Sequence, residues 1–120
     1  MRRVTTLAVP TLRVRDVERS LAWWARLGFT EDFRHRFEGT EPWFVGIRRE
    51  GARVYLSEHA GDAPGPALLH LWVDDVDRVA AEFGVPVETM PWGRDCEVAD
   101  PDGNRVRVAE APRERAVVNR

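Results

Sequence analysis

The chain repeats itself, and this repeat constrains the fold more than any other feature of its 120 residues. Three short segments recur in the same order, at separations of 59, 56 and 52 residues. They are residues 14–19 with 73–78, 27–29 with 83–85, and 50–58 with 102–110. The slowly decreasing separation indicates a duplicated unit whose second copy has shorter loops.

Each copy begins with a predicted strand and helix. Residues 7–14 alternate and are rich in strand-forming side chains, and Pro10 implies an edge position or a bulge. Asp16 predicts the N-cap of the helix, because its carboxylate can accept unpaired amide groups of the first turn. Gly28 is expected to end the helix with a positive φ. The apolar stripe of this helix consists of Val17, Leu21 and Trp24.

The remaining elements are predicted from alternation and turn residues. The first copy then has three strands, at residues 29–37, 43–47 and 53–57. The second copy has a strand at 68–73, a helix through Phe83 that is capped by Asp74 or Asp75 and closed by Gly84, and strands at 86–90, 95–99 and 105–109. The sequence Asp-Pro-Asp-Gly at 100–103 predicts a turn. We therefore expect an α+β fold in which two βαβββ modules form a curled mixed sheet.

The length fits one domain. We expect module one at about 4–58, a linker rich in Gly and Pro at 59–66, module two at about 67–110 and a charged tail at 111–120. No apolar run reaches the roughly 20 residues that a membrane span needs, and residues 1–12 do not resemble a signal peptide. These observations predict a cytoplasmic protein without a membrane partner.

Several classes of function are disfavoured by composition. The formal net charge of −2 gives no general attraction to nucleic acid. The single cysteine, Cys96, can form neither an intramolecular disulfide nor a thiolate zinc site. Phosphate-binding, metalloprotease and serine hydrolase motifs are missing from the sequence. Five tryptophans remain to be explained, of which Trp23 and Trp24 are expected in the core.

The motifs resemble those of the vicinal oxygen chelate superfamily, which includes glyoxalase I, fosfomycin-resistance transferases, extradiol dioxygenases and bleomycin-resistance proteins. Leu-Gly-Phe at 27–29 is typical of the whole superfamily. Pro-Trp-Gly-Arg at 91–94, followed by Asp-Pro-Asp-Gly-Asn at 100–104, is most similar to the bleomycin-resistance branch. The resemblance spans residues 4–110.

This resemblance implies where a divalent metal would be held in the enzymes of the superfamily. The equivalent positions are occupied here by Val9, His70 and Arg107. Neither Val9 nor Arg107 has a lone pair to offer, and catalytic sites usually need about three protein ligands. We therefore expect a binding protein that uses no metal, no cofactor and no catalytic residue. The alternative is a metal-dependent glyoxalase-like or lyase-like enzyme that combines His70 with carboxylates such as Glu58, Glu97 and Glu110.

The resemblance also implies a ligand groove that binds a glycopeptide or other aromatic antibiotic. It places Phe33, Phe37 and Trp92 among the groove aromatics, with Trp72 on a strand that faces it. The segment before Pro91 is shorter than in the bleomycin-resistance branch, which favours a more open groove or a smaller ligand. Family members usually form symmetric homodimers, and we expect the same here.

Other candidate ligand-binding residues follow from the predicted elements themselves. Trp43 and Tyr55 are aromatic residues on strands of module one. Asp32, next to Glu31, is placed to meet a cation or to form part of a solvated turn. His70 is either a satisfied histidine in a strand or a hydrogen-bond donor to the ligand. Arg94 either binds ligand or pairs with Asp95 or Asp100.

Overall fold

The computed structural model describes residues 6–36, 38–39 and 41–112, which divide into two compact units between residues 65 and 66. The boundary falls within the predicted linker. The first unit contains β1 (Thr11–Arg13), α1 (Val17–Ala25), β2 (Thr30–His35), β3 (Phe44–Arg49) and β4 (Ala52–Ser57). The second contains β5 (Leu68–Trp72), α2 (Val76–Phe83), β6 (Glu88–Met90), β7 (Gly93–Ala99) and β8 (Arg105–Glu110). Phe37 and the tail from residue 113 onward lie outside the described residues.

The two units have the same topology. The strand order is β1-β4-β3-β2 in the first sheet and β5-β8-β7-β6 in the second. In each sheet the first strand runs parallel to the last strand of its module, and the other neighbours are antiparallel. The predicted α+β class and both βαβββ modules are therefore confirmed.

Both helices begin in the same way. The carboxylate of Asp16 accepts hydrogen bonds from the amides of Glu18 and Arg19 at 3.0 and 3.3 Å. Asp75, rather than Asp74, caps α2 and accepts the amide of Arg78 at 3.1 Å. These contacts satisfy amide groups that have no partner inside the helix.

In each module a second carboxylate, at the end of the last strand or directly after it, accepts the first amide of the helix. Glu58 accepts the amide of Val17 at 2.8 Å, and Glu110 accepts the amide of Val76 at 2.9 Å. The two contacts are equivalent under the repeat, so the duplication extends to tertiary hydrogen bonds as well as to sequence.

The helix packs on one face of its sheet. In the first unit, five apolar strand residues on this face are buried, namely Leu12, Val45, Ile47, Val54 and Leu56. Trp24 is fully buried and Trp23 nearly so, as predicted. The helix stripe differs in one position, because Ser20 is buried whereas Leu21 is only partly buried. The buried positions thus follow the i, i+3, i+7 spacing from Val17.

The strands differ from the prediction at their ends. The first strand begins only after Pro10, which lacks an amide for the ladder, although its carbonyl still accepts the amide of Tyr55. It lies at the edge of its sheet, as Pro10 implied. The sixth strand begins at Glu88 instead of residue 86, and the third covers Phe44–Arg49 instead of 43–47.

The predicted turns at the helix ends and at 100–103 form as expected. Gly28, Gly84 and Gly103 all have positive φ values, of 88°, 66° and 85°. The buried carboxylate of Asp100 accepts the amides of Asp102 and Asn104 at 2.9 and 2.8 Å. Within the described residues, no helix is long and apolar enough to cross a membrane.

Candidate ligand-binding residues on the open sheet faces

Each sheet has a second face, opposite its helix, which we call the open face. Side chains alternate between the two faces of a strand, and paired residues of neighbouring strands share a face. In the first sheet, Phe33, Gly46 and Tyr55 form one such cross-strand row on the open face. The row crosses from the edge strand β2 to the two inner strands β3 and β4.

A β-bulge brings Phe33 to this face. The pairing of β2 with β3 shifts between Glu31 and Phe33, so that Asp32 is the extra residue. Glu31 pairs with Ile47, which is buried on the helix side, whereas Phe33 pairs with Gly46. Without the bulge, Phe33 would share the helix side with Glu31, because residues at i and i+2 point in the same direction.

Three aromatic rings form a cluster on the open face of the first sheet. The ring centroids of Phe33 and Phe44 are 6.2 Å apart and stacked, and Tyr55 lies 5.7 Å from Phe33 and 5.1 Å from Phe44. Phe33 is 40% exposed. Its ring lies over Gly46, where an added Cβ would be only 2.2 Å from Phe33 Cε2. Gly46 therefore allows the ring to lie flat against the strand.

Two arginines lie beside this cluster. Arg48 of β3 and Arg53 of β4 are direct cross-strand partners. Each lies two residues along its strand from a member of the cross-strand row, Gly46 or Tyr55. Asp32 approaches Arg48 with a 3.5 Å ion pair. Arg53 forms no ion pair with any described carboxylate, and its Nη1 is buried without a hydrogen-bond partner in the described part of the chain.

Trp43 lies elsewhere. Its ring is covered by the guanidinium groups of Arg36 and Arg34, at 4.0 and 4.9 Å from the ring centroid. Arg34 also bonds Glu18 of α1, which identifies this as the helix side of the sheet. Trp43 is thus on the opposite face from Phe33 and Tyr55, and the structure does not bring it into the aromatic cluster.

The open face of the second sheet carries an ionic network. Asp95 is fully buried and accepts two hydrogen bonds from Arg107 Nη2, both at 3.1 Å, while Arg107 Nη1 donates to Glu97 at 3.1 Å. The hydrogen bond from Arg107 to Asp95 is the main cause that raises the pKa of the guanidinium. Trp92 Nε1 donates to Asp95 at 3.3 Å. This network holds Trp92 by its polar edge.

His70 and Trp72 share this open face. His70 pairs with Arg107 and Trp72 with Ala109 in the β5–β8 register. Both side chains are exposed, Trp72 by 50%. His70 is therefore exposed on the same face as Arg107. Of the two predicted alternatives, a satisfied histidine in a strand and a hydrogen-bond donor to the ligand, its exposure favours the second.

The two open faces have diverged in chemistry although their scaffolds are equivalent. Through the repeat, Tyr55 corresponds to Arg107, and their cross-strand partners Gly46 and Glu97 correspond as well. Likewise Phe44 occupies the place of the buried Asp95. The first open face is thus aromatic where the second is ionic.

Arg94 lies on the helix side of the second sheet. Its guanidinium donates two hydrogen bonds of 2.8 Å to Asp77 of α2, so neither Asp95 nor Asp100 is its partner. This bidentate pair raises the pKa of Arg94 and lowers the pKa of Asp77. Arg94 borders a cleft of about 720 Å³ together with Thr89, Met90 and the start of α2. Arg94 therefore lies on the opposite face of the sheet from Asp95, the residue that Trp92 bonds.

The metal positions implied by the superfamily do not form a ligand set here. Val9 lies seven residues before Asp16, and the same count from Asp75 reaches Leu68, not His70. The sheet register agrees with this count. His70 pairs with Arg107, whose counterpart in the first module is Tyr55, and Tyr55 pairs with Thr11. The counterpart of His70 is therefore Thr11 and not Val9. The assignment of His70 to this position was therefore wrong. Leu68 and His70 share a face, which is why spacing along the strand did not separate them.

The carboxylates of the alternative ligand set are engaged by other groups. Glu58 and Glu110 each accept the first amide of the helix in their own module, and Glu110 lies on the opposite face of its sheet from His70. Glu97 shares the open face of His70 but bonds Arg107 and lies 3.6 Å from Arg105. The residues present therefore do not fit a divalent metal at the superfamily positions.

Among the described residues, Asp75, Asp77 and Glu110 are spaced closely enough to hold an ion. Each carboxylate already has a partner within its own module: Arg78 N for Asp75, Arg94 for Asp77 and Val76 N for Glu110. This group supports the start of α2 and does not involve His70.

Four residues of the first open face were missed by sequence reasoning: Phe44, Gly46, Arg48 and Arg53. Alternation along the strand after Trp43 would have grouped the first three, and the same rule groups Arg53 with Tyr55. The burial of Asp95 had no comparable signal, because charged residues are seldom fully buried.

A family model described as glyoxalase superfamily protein matches residues 4–114. A search of curated proteins found no significant match.

Solved structures of this fold cover nearly the whole chain. The bleomycin-binding protein from bleomycin-producing Streptomyces verticillus, complexed with copper(II)-bleomycin, is 31% identical, with a TM-score of 0.64 over 92% of this chain and 100% of that one. TnmS3, an antibiotic binding protein from Streptomyces sp. CB03234, is 24% identical, with a TM-score of 0.71 over 93% and 100%. The fosfomycin resistance protein FosX from Listeria monocytogenes is 16% identical, with a TM-score of 0.71 over 93% and 98%.

At 24% and 16% identity, the likenesses to TnmS3 and FosX show a shared fold alone. The family model covers nearly all of the chain, and its match agrees with the duplicated βαβββ topology. This chain belongs to the glyoxalase superfamily.

Proposed function

We propose that the protein binds a small, planar aromatic molecule on the open face of its first sheet, without covalent chemistry. The observation that carries this proposal is the cluster of Phe33, Phe44 and Tyr55 around Gly46. Such a binder lowers the free concentration of its ligand, and it needs affinity and abundance but no catalytic group.

The cluster has the properties of a stacking surface. Phe33 leaves 40% of its surface exposed on a face that its own helix does not cover. Aromatic rings stack on flat ligands with centroids about 4.5–7 Å apart and gain about 0.5–1.5 kcal/mol beyond area burial. The glycine at position 46 leaves room for the Phe33 ring to lie flat against the strand, so a flat ligand can stack on the exposed side of that ring.

The second open face carries its own candidate ligand contacts. Trp72 and Trp92 are 50% and 39% exposed, so both indole rings offer apolar surface to a ligand. Because Asp95 already accepts the indole N–H of Trp92, the ring can contact a ligand without a polar group to desolvate. We propose Trp72, Trp92 and His70 as ligand contacts of this face.

We propose an antibiotic or another aromatic natural product as the ligand. The S. verticillus protein was solved with copper(II)-bleomycin, and TnmS3 is described as an antibiotic binding protein. β6 has only three residues and is the strand that precedes Trp92. A short strand there forms only a low wall of the groove, which favours a ligand smaller than bleomycin. We also propose a homodimer, because exposed apolar side chains lie on both open faces and a second copy can cover them.

A thermal-shift screen with bleomycin, phleomycin and other planar antibiotics tests this function. A ligand at 100 times its dissociation constant should stabilise the fold by about 2.7 kcal/mol, or about 10 °C in a chain of this size. Phe33→Ala should abolish most of the ligand-induced shift, which is measured from the ligand-free midpoint of each variant because the substitution also removes the contacts of Phe33 with Phe44 and Tyr55.

Trp43→Leu is the matched control, because Trp43 is an aromatic residue of the same sheet on the opposite face. It should keep the ligand-induced shift. Retention of the full shift in Phe33→Ala, or its loss in Trp43→Leu, would place the ligand elsewhere. Metal analysis of protein purified without chelator tests the enzyme alternative, since stoichiometric zinc, nickel, manganese or iron would contradict metal-free binding.

A further inference from the structure

We infer that the ligand of the first open face is an aromatic oxyanion, held by Arg48 and Arg53 while its ring lies on the aromatic cluster. This inference rests on the proposed function and names the chemical class of the ligand. Its evidence is the arrangement of charge beside the cluster, which differs from that of the second module.

Arg48 and Arg53 are placed where like charges repel. They are direct cross-strand partners, and like charges in such pairs destabilise a sheet. An anion that contacts both guanidinium groups would offset this repulsion. Carboxylate, sulfonate and phosphate groups fit, because guanidinium presents paired donors at matching spacing.

The carboxylates of the protein neutralise only part of the positive charge of this arginine pair. Asp32 reaches Arg48 at 3.5 Å with 37% of its side chain exposed, and no described carboxylate forms an ion pair with Arg53. One Arg53 donor, Nη1, is buried and has no partner in the described chain. The pair therefore keeps an excess positive charge and an unused donor, and both would gain from a ligand oxygen.

The second module shows what the first lacks. Arg105 corresponds to Arg53 and has Glu97 at 3.6 Å, and its cross-strand partner is Ala99 instead of a second arginine. Arg107 on the same face is bonded to Asp95 and Glu97. Among the described strands, a cross-strand pair of two arginines, with a carboxylate ion-paired to only one of them, thus occurs on the first open face alone.

The arginines are also at the right distance from the stacking surface. Arg48 lies two residues from Gly46 and Arg53 two residues from Tyr55, and two residues of strand span about 7 Å. Long arginine side chains cover such a distance. One molecule that carries an oxyanion on a fused aromatic ring can therefore contact both features.

Three naphthalene probes of equal shape separate charge from stacking. Dissociation constants are measured by isothermal titration calorimetry at low salt for naphthalene-2-carboxylate, naphthalene-2-carboxamide and 2-(aminomethyl)naphthalene. We expect the carboxylate to bind at least tenfold more tightly than the amide. In Arg53→Gln this ratio should fall to about twofold, while the affinity for the amide stays the same.

Arg19→Gln is the matched control, because it removes one positive charge from α1 on the helix side and should leave the ratio unchanged. Unfolding midpoints of all variants verify that they are folded, and Arg48→Gln provides a second test if Arg53→Gln fails to fold. Equal affinities for carboxylate and amide, or tightest binding of the amine, would overturn the anionic ligand and leave the proposed function standing. Binding of none of the three probes would overturn both.

Discussion

Replacement of Asp95 by alanine tests whether the second open face is organised by its buried ion pair. Asp95 is fully buried and is the shared acceptor for Arg107 and Trp92. Removal of one partner of a buried pair commonly costs about 3–5 kcal/mol, because the other charge stays buried without compensation. The cost here depends on what Arg107 and Trp92 retain.

The structure places the expected cost at the lower end of that range. Arg107 is 24% exposed and keeps its 3.1 Å bond to Glu97, so its charge is not left wholly unpaired. The indole of Trp92 is partly exposed and can donate to water instead. We therefore expect Asp95→Ala to lower the free energy of unfolding by about 3 kcal/mol. Asp95→Asn keeps the shape and one acceptor and should cost about 2 kcal/mol.

Urea unfolding followed by tryptophan fluorescence measures both values. Arg105→Gln is the control on the same face, since Arg105 is 50% exposed at 3.6 Å from Glu97 and should cost less than about 0.5 kcal/mol. In a double-mutant cycle, Asp95→Ala with Arg107→Gln should cost clearly less than the sum of the single variants. A cost below about 1 kcal/mol for Asp95→Ala, or additive effects, would refute this account.

Three further predictions concern the first open face and the core. Gly46→Ala should displace the ring of Phe33, which lies 2.2 Å from the added Cβ. We expect it to lower the free energy of unfolding in urea by about 1–3 kcal/mol and to remove the ligand-induced stabilisation. An unchanged unfolding midpoint would contradict the ring position. Arg53→Gln should raise the free energy of unfolding by about 0.5 kcal/mol at low salt, because it relieves repulsion from Arg48, and a gain that persists in 1 M salt would argue against charge as the cause. Burial raises the pKa of the Cys96 thiol, so a thiol reagent at pH 8 should not modify the native protein but should react fully after denaturation; rapid native labelling would disprove the burial.

Site prediction from the sequence was uneven, and the errors have a common origin. Trp43 and Tyr55 were grouped because both are aromatic strand residues, yet they lie on opposite faces of one sheet. Arg94 was expected near Asp95 or Asp100, its neighbours in sequence, but alternation turns it to the helix side and Asp77. Contacts between residues distant in sequence depend on strand register, which no local pattern specifies.

The modular architecture was determined by the sequence itself. The repeat, the capping residues Asp16 and Asp75, and the glycines that close the helices are local signals, each of which acts within a few residues of the chain. The tertiary structure decided which side chains share a face. The single extra residue at Asp32 turns Phe33 from the helix side to the open face, because side chains alternate with a period of two and one inserted residue reverses their direction.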